Sequence, residues 1–217
     1  LRAGFVHPAK AFGALRIWAT FIAAHRFAQA HTDASPALAE LEPAERTRLR
    51  RYARNCLGLI RMQPDYGPQH RQVDLQAVRF GWCIPLYDDV FDTLPPALVA
   101  ELAPRFGEGA HAHDAWDLPA ASKVRLRVLE TVGAELVAAL PGERDLEFRG
   151  WFAEMTRAQM ASVRQRDSSC STEELAQVAA WKGSVSYQFL LSTMQAVPVS
   201  GPTARPVLGS ITDGSIQ

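Results

Sequence analysis

A chain of 217 residues is long enough for one large domain whose core encloses an interior cavity. Lys plus Arg and Asp plus Glu are balanced at 23 each, so no overall positive field draws in nucleic acid or an anionic membrane, and any anion must be held locally. Cys56, Cys83 and Cys170 are odd in number and far apart; they fit neither a disulfide framework nor a zinc motif and predict a reducing, cytoplasmic setting.

Apolar residues recur with a helical rather than an alternating period almost throughout, so the expected fold class is all-α, in a single domain. Breaks at Gly, Pro and Ser clusters predict helices over about 10–31, 43–62, 71–92, 96–105, 119–140, 144–167, 172–196 and 203–217. Several carry apolar residues on more than one face, as helices around a central space do.

The first, "AFGALRIWATFIAAHRF", is broken by Arg16, His25 and Arg26 and is too short and too charged to cross a bilayer, so it reads as a core helix with no integral membrane segment. In the second, Arg46, Arg50, Arg54 and Arg61 share one face and Leu49, Ala53, Cys56 and Ile60 the next. That pattern predicts a solvated amphipathic helix rather than an anion site.

The third helix ends in "IPLYDDVFD". At about 100° per residue, Asp88 and Asp92 lie about 40° apart and Asp89 falls within the same arc of about 100°. Backwards, that face continues through Pro85, Ile84, Gly81, Ala77, Asp74 and Val73, a greasy wall with a carboxylate rim. Three carboxylates at a helix C-terminus repel one another and the negative end of the dipole. A cation relieves this, and hard oxygen ligands suit Mg²⁺, which takes one or two carboxylates plus water and phosphate oxygens. A solvated acidic helix end before "TLPP" explains an isolated D-D-x-x-D equally well; Pro85, which distorts the preceding turn, favours the functional reading. Further on, His111 to Asp114 in a Gly-flanked loop reads as a surface turn. Ser171 with Glu174 forms a capping box that opens the seventh helix.

"RQVDLQAVRFGWCIPLYDDVFD" resembles the helix bearing the first aspartate-rich motif of the class I isoprenoid synthases, the trans-prenyltransferases and terpene cyclases. "AQMASVRQRDSSCSTEELAQVAAWKGSVSYQFLLSTM" is similar to the family's Gln-bearing helix, short loop and following Lys-bearing helix, with Gln159 and Lys182 at those positions. "LGSITDGSIQ" resembles the start of the helix that carries the second acidic motif. The resemblance implies an α-helical barrel around a central cavity, with Asp88, Asp89 and Asp92 holding Mg²⁺, three ions in all, against a prenyl diphosphate. Asp213 alone does not supply a facing acidic set, so the chain is expected to continue past Gln217 into a second acidic helix. The resemblance leaves a helix-packed homodimer open.

Chain-elongating members hold a second diphosphate with Gly-Gly-Lys-Arg before the first motif and Arg-Arg-Gly after it. Here those places read "LIRMQPDYGPQHRQ" and "TLPPALVAELAPRFGEG". A terpene cyclase acting on one linear prenyl diphosphate is therefore the leading expectation, with a coupling prenyltransferase second and a non-enzymatic helical interaction protein third. The reaction implied is ionisation: metal charge draws electron density from the diphosphate until the allylic C–O bond breaks in a dry pocket. Lys182 is the expected leaving-group donor, with Arg164 or Arg166 sensing the diphosphate or, on the plainer reading, capping a solvated helix end. A carbocation is best stabilised by π faces, which makes Phe80, Tyr87, Phe91, Trp151, Phe152, Trp181, Tyr187 and Phe189 candidates, most of them ordinary core. By the resemblance, Cys83 and Ile84 limit substrate length.

Overall fold

The computed structural model describes residues 8–62, 66, 71–102, 117–139, 145–164 and 171–194. Within them lie α1 (Pro8–Ala34), α2 (Pro43–Arg61), α3 (Arg71–Phe91), α4 (Pro96–Leu102), α5 (Ala120–Ala138), α6 (Asp145–Arg164) and α7 (Thr172–Met194), a 3-10 turn at Pro36–Leu38, and no strand. The fold is all-α. The helix expected over 203–217 and the His111–Asp114 turn lie outside the described residues.

Helix starts follow local chemistry. Glu42 and Glu45 close a capping box on α2: the Glu42 main-chain N–H donates to the Glu45 carboxylate at 3.4 Å, and Pro43 follows in the first turn. Glutamate in place of Ser or Thr at the first position hid this box from the sequence reading. At α7 the Ser171 N–H donates to Glu174 at 2.8 Å and the Glu174 N–H to the Ser171 hydroxyl at 3.2 Å, the box expected from the sequence.

Helix α3 packs against α1, α2, α5, α6 and α7. It is therefore apolar on most sides, and Phe80, Trp82, Tyr87 and Phe91 are all buried along it. Its closest approach is to α2. A Cβ placed on Gly81 would lie 2.4 Å from the Ala53 Cα, so only a residue without a side chain lets the two backbones meet. The small residue read as cavity wall is thus a helix contact at this point.

Polar pairs fix the two helices at either end of that crossing. Asp74, with a side chain 1% exposed, accepts from Arg61 Nε at 3.3 Å and from the Tyr66 hydroxyl at 2.6 Å. Burial and the Asp74 carboxylate push the Tyr66 hydroxyl up to about 12. The Arg61 guanidinium also sits 5.3 Å from the Phe27 ring centroid. Arg61 is thus not part of a solvated basic face, as its spacing had implied: the α2 stripe Leu49, Ala53, Cys56 and Ile60 is buried as expected, but a carboxylate on α3 draws Arg61 inward.

Two stability predictions follow from these contacts. Gly81→Ala should lower the unfolding free energy by about 1–3 kcal/mol through overpacking against Ala53, read from the urea midpoint; an unchanged midpoint would mean the helices do not touch there. Asp74→Ala should cost about 3–5 kcal/mol by stranding Arg61, and the double change Arg61→Met with Asp74→Leu should recover most of it.

Candidate functional site at the carboxylate end of α3

The three aspartates leave the end of α3 in different directions, each toward another helix. Asp88 meets α7, where Lys182 Nζ lies 3.0 Å from its Oδ1. Asp92, one residue past the helix, donates its N–H to the Asp88 carbonyl at 2.9 Å and accepts a side-chain hydrogen bond from Gln159 Nε2 on α6. Asp89, about 100° round the helix from Asp88, turns toward α2 and α5. Both terminal nitrogens of Arg48 on α2 reach it, one at 3.2 Å, and Arg125 Nε on α5 lies 3.9 Å away while bonded to Glu45 at 2.5 Å. Arg48 also donates to the Pro85 carbonyl at 3.4 Å. The three lie within one arc of about 100°, but neighbouring helices divide it, and α2 and α5 occupy the side to which Asp89 turns.

Electrostatics follow the packing. Partial burial pushes the Asp88 carboxyl above its usual range; Lys182 opposes the shift, and the charges of Asp92 and Asp89 add to it. The hydrogen bond to Asp89 holds the Arg48 guanidinium above its ordinary value. Gln159 is fully buried, and while its Nε2 is committed to Asp92 its Oε1 has no partner among the described residues. A buried acceptor of this kind costs free energy unless something donates to it.

Beside the carboxylates lies an aromatic group. Tyr87 stacks on Phe91 with ring centroids 4.0 Å apart, meets Phe152 edge-on at 5.5 Å, and donates its hydroxyl to Thr156 at 2.8 Å. Trp181, half-buried, donates its indole N–H to Glu154 at 3.0 Å. Phe80 and Cys83 are buried and Ile84 is partly buried against the core. Burial raises the Cys83 thiol as it does Cys56, the latter to about 12, so neither is a reactive thiolate. The side chains of Arg164 and Phe189, and all of Arg166, lie outside the described residues.

Of the residues singled out by sequence, the fold brings Asp88, Asp92, Gln159 and Lys182 to one end of α3, from three helices. Arg48, Arg125, Glu45 and Thr156 were not anticipated. Arg48 sits in the run "RTRLRRYAR" among other arginines, and no spacing signal separates it from its neighbours. Comparison of the chain with protein-family models, curated proteins and solved structures returns no match.

Among the described residues, no group of three or more His, Cys, Asp or Glu side chains is gathered to hold a metal ion. Mg²⁺ asks less of a protein, since one or two carboxylates suffice when water and phosphate oxygens complete the shell. Asp88 and Asp92, close enough for the Asp92 charge to raise the proton affinity of Asp88, fit that role, with the Gln159 Oε1 beside Asp92 as an acceptor for a bound water. Both oxygens of Asp89 are held by Arg48, so a metal ion there would have to displace the guanidinium.

The Asp88 shift carries a signed consequence. A carboxyl whose folded value is raised binds its proton more readily in the native state, so its contribution to stability is present at low pH and is lost as pH rises through the folded value. Asp88→Asn should then gain melting temperature relative to the parent as pH climbs from about 4, with the difference levelling off above the folded value. A difference independent of pH would sink this assignment.

Proposed function

We propose that this chain is a Mg²⁺-dependent enzyme of the class I isoprenoid synthase type, binding a prenyl diphosphate at the carboxylate end of α3. More specifically, we read it as a terpene cyclase that works on the allylic diphosphate alone. The observation that carries the first step is the meeting of Asp88 with Lys182 and of Asp92 with Gln159, four residues that match the family's motifs in the sequence. The second step rests on the segments flanking α3, which lack the basic motifs of a second diphosphate site.

In this reading bound Mg²⁺ supplies the positive charge that draws electrons from the diphosphate. Asp88 and Asp92 fix where that charge sits. Gln159 holds the Asp92 carboxylate in one rotamer, a positioning role that needs its own complete burial. Lys182 exchanges the Asp88 carboxylate for a diphosphate oxygen. This exchange is inexpensive, because a half-exposed ion pair is worth about 0–1 kcal/mol. The leaving diphosphate then gains a donor as its negative charge grows. Tyr87, Phe91 and Phe152 are buried against one another beside the carboxylates, so in this reading a cation reaches their π faces only where substrate parts that packing.

The test is incubation of the protein with geranyl, farnesyl, geranylgeranyl and longer prenyl diphosphates and Mg²⁺, with products read by gas chromatography. A hydrocarbon or alcohol from the allylic substrate alone is expected, abolished by chelator, with Lys182→Met slower by about 10²-fold and Asp92→Asn similarly impaired. Asp89→Asn should act chiefly on melting temperature. Product that forms only with added isopentenyl diphosphate would replace the cyclase with a coupling prenyltransferase. No product from any substrate, together with no thermal stabilisation by Mg²⁺ and diphosphate, would overturn both; a site filled at 100 times its Kd should add about 2.7 kcal/mol.

A further inference from the structure

Around Lys182, helix α7 is built mostly from small side chains. From Ala176 to Gly183 it reads AQVAAWKG. Ala176, Ala179, Ala180 and Gly183 are exposed, and a Cβ added to Gly183 would meet nothing within 4 Å. Side chains of this size form no ridges to lock into a neighbour, so they leave the rotation of α7 about its own axis weakly fixed at this level. Val178 and Trp181 are the apolar residues here that turn inward, and Trp181 is the one that packs against the core. Rotation matters because Lys182 has a small target: its Nζ lies 3.0 Å from Asp88 Oδ1. A group about 5–6 Å from the helix axis moves about 3 Å when the helix turns by about 30°, which is enough to break that contact.

Trp181, one residue back and about 100° round the helix, resists that rotation through a polar tether. Its indole N–H donates to Glu154 Oε1 on α6 at 3.0 Å. A ring held by apolar packing alone can slide, whereas a hydrogen bond at its rim fixes its direction. The acceptor is itself fixed, because the other oxygen of Glu154 accepts from Arg157, three residues on in α6. Arg157, and after it the indole, hold the Glu154 carboxyl below its ordinary range, and an ionised acceptor makes the stronger bond. Arg157, Glu154 and Trp181 thus form a line that starts on α6 and ends one residue from Lys182. Among the described residues the polar partners of Glu154 are Trp181 and Arg157, so its hold on the carboxylate end of α3 passes through α7.

We propose that Glu154 is a positioning residue: through the Trp181 indole it fixes the rotation of α7 and so aims Lys182 at Asp88 and at the diphosphate oxygen that replaces it. Aim at the diphosphate rests on the reaction proposed above; aim at Asp88 does not. Acylation of Lys182 by N-hydroxysuccinimidyl acetate, read by peptide mass, reports the aim without any ligand, and only three lysines occur in the chain. Asp88→Asn should speed it about two- to fivefold, the protection that a half-exposed ion pair gives. Glu154→Leu should match that increase, whereas Glu154→Gln, which keeps an acceptor for the indole, should stay at the parent rate. With Mg²⁺ and the prenyl diphosphate that gives product, Glu154→Leu should lower kcat by about tenfold with KM near the parent value. In a Lys182→Met background it should lower kcat no further. Should Glu154→Leu fail to fold, Trp181→Phe, which keeps a ring and removes the indole donor, carries the same expectations. A parent rate of acylation in these variants overturns the proposal, and so does a fall in kcat as large without Lys182 as with it. No turnover in the parent, with Lys182 acylation still set by Glu154, would overturn the reaction and uphold the aim at Asp88.

Discussion

Helix α3 is enclosed by five other helices and yet carries Asp74, Asp88 and Asp89, with Asp92 one residue past its end. Removing an unpaired carboxylate from water costs several kcal/mol even after relaxation, so every one of these groups must find a partner. Each does so on a neighbouring helix: Arg61 and Arg48 on α2, Lys182 on α7 and Gln159 on α6. Apolar packing supplies most of the driving force for association, but it tolerates sliding. Directional pairs at fixed heights along α3 do not, and they set the register of the surrounding helices.

The pairs differ in what they allow. Asp74 is sealed, with Arg61 and Tyr66 closing over a carboxylate of 1% exposure, whereas Asp88 retains 34%. The first arrangement is a lock between α2 and α3. The second is shallow enough for water to screen it, and a screened pair is held weakly enough to be exchanged. Asp89 is about as shallow, with 25% exposure beside an Arg48 at 40%, but two nitrogens of Arg48 reach it and Arg125 stands 3.9 Å away. Three aspartates of one motif thus meet three different partners, a lysine, an amide and an arginine.

The same geometry explains where the aromatic residues went. Tyr87 is one residue from Asp88 and two from Asp89, so helical rotation carries it toward α6, where Phe152 and Thr156 receive its ring and hydroxyl. At the far side, Trp82 donates to Thr32 of α1 at 3.1 Å, which anchors the buried half of α1. The other half passes beyond α2 and keeps its apolar residues in solvent, a consequence of α1 having 27 residues against 19 in α2.

Helix type and position were legible from the chain alone, because a 3.6-residue apolar period and Pro, Gly and Ser breaks act over one or two turns. The Ser171–Glu174 cap and the buried stripe Leu49, Ala53, Cys56 and Ile60 belong to that local class, as does the clustering of Asp88, Asp89 and Asp92, whereas Gln159 and Lys182 stand out only through the family resemblance. Which arginine would answer which aspartate was not local. Arg48 and Asp89 are 41 residues apart, and Arg61, spaced like a solvent-facing residue, turns inward to Asp74. The sequence by itself determined the helices and the chemical kinds of group at the end of α3. Only the tertiary structure decided their pairing and the separation of Asp89 from its neighbours, because a charge is assigned by what surrounds it after the helices have packed, and one helical step of about 100° is enough to give two adjacent carboxylates different surroundings.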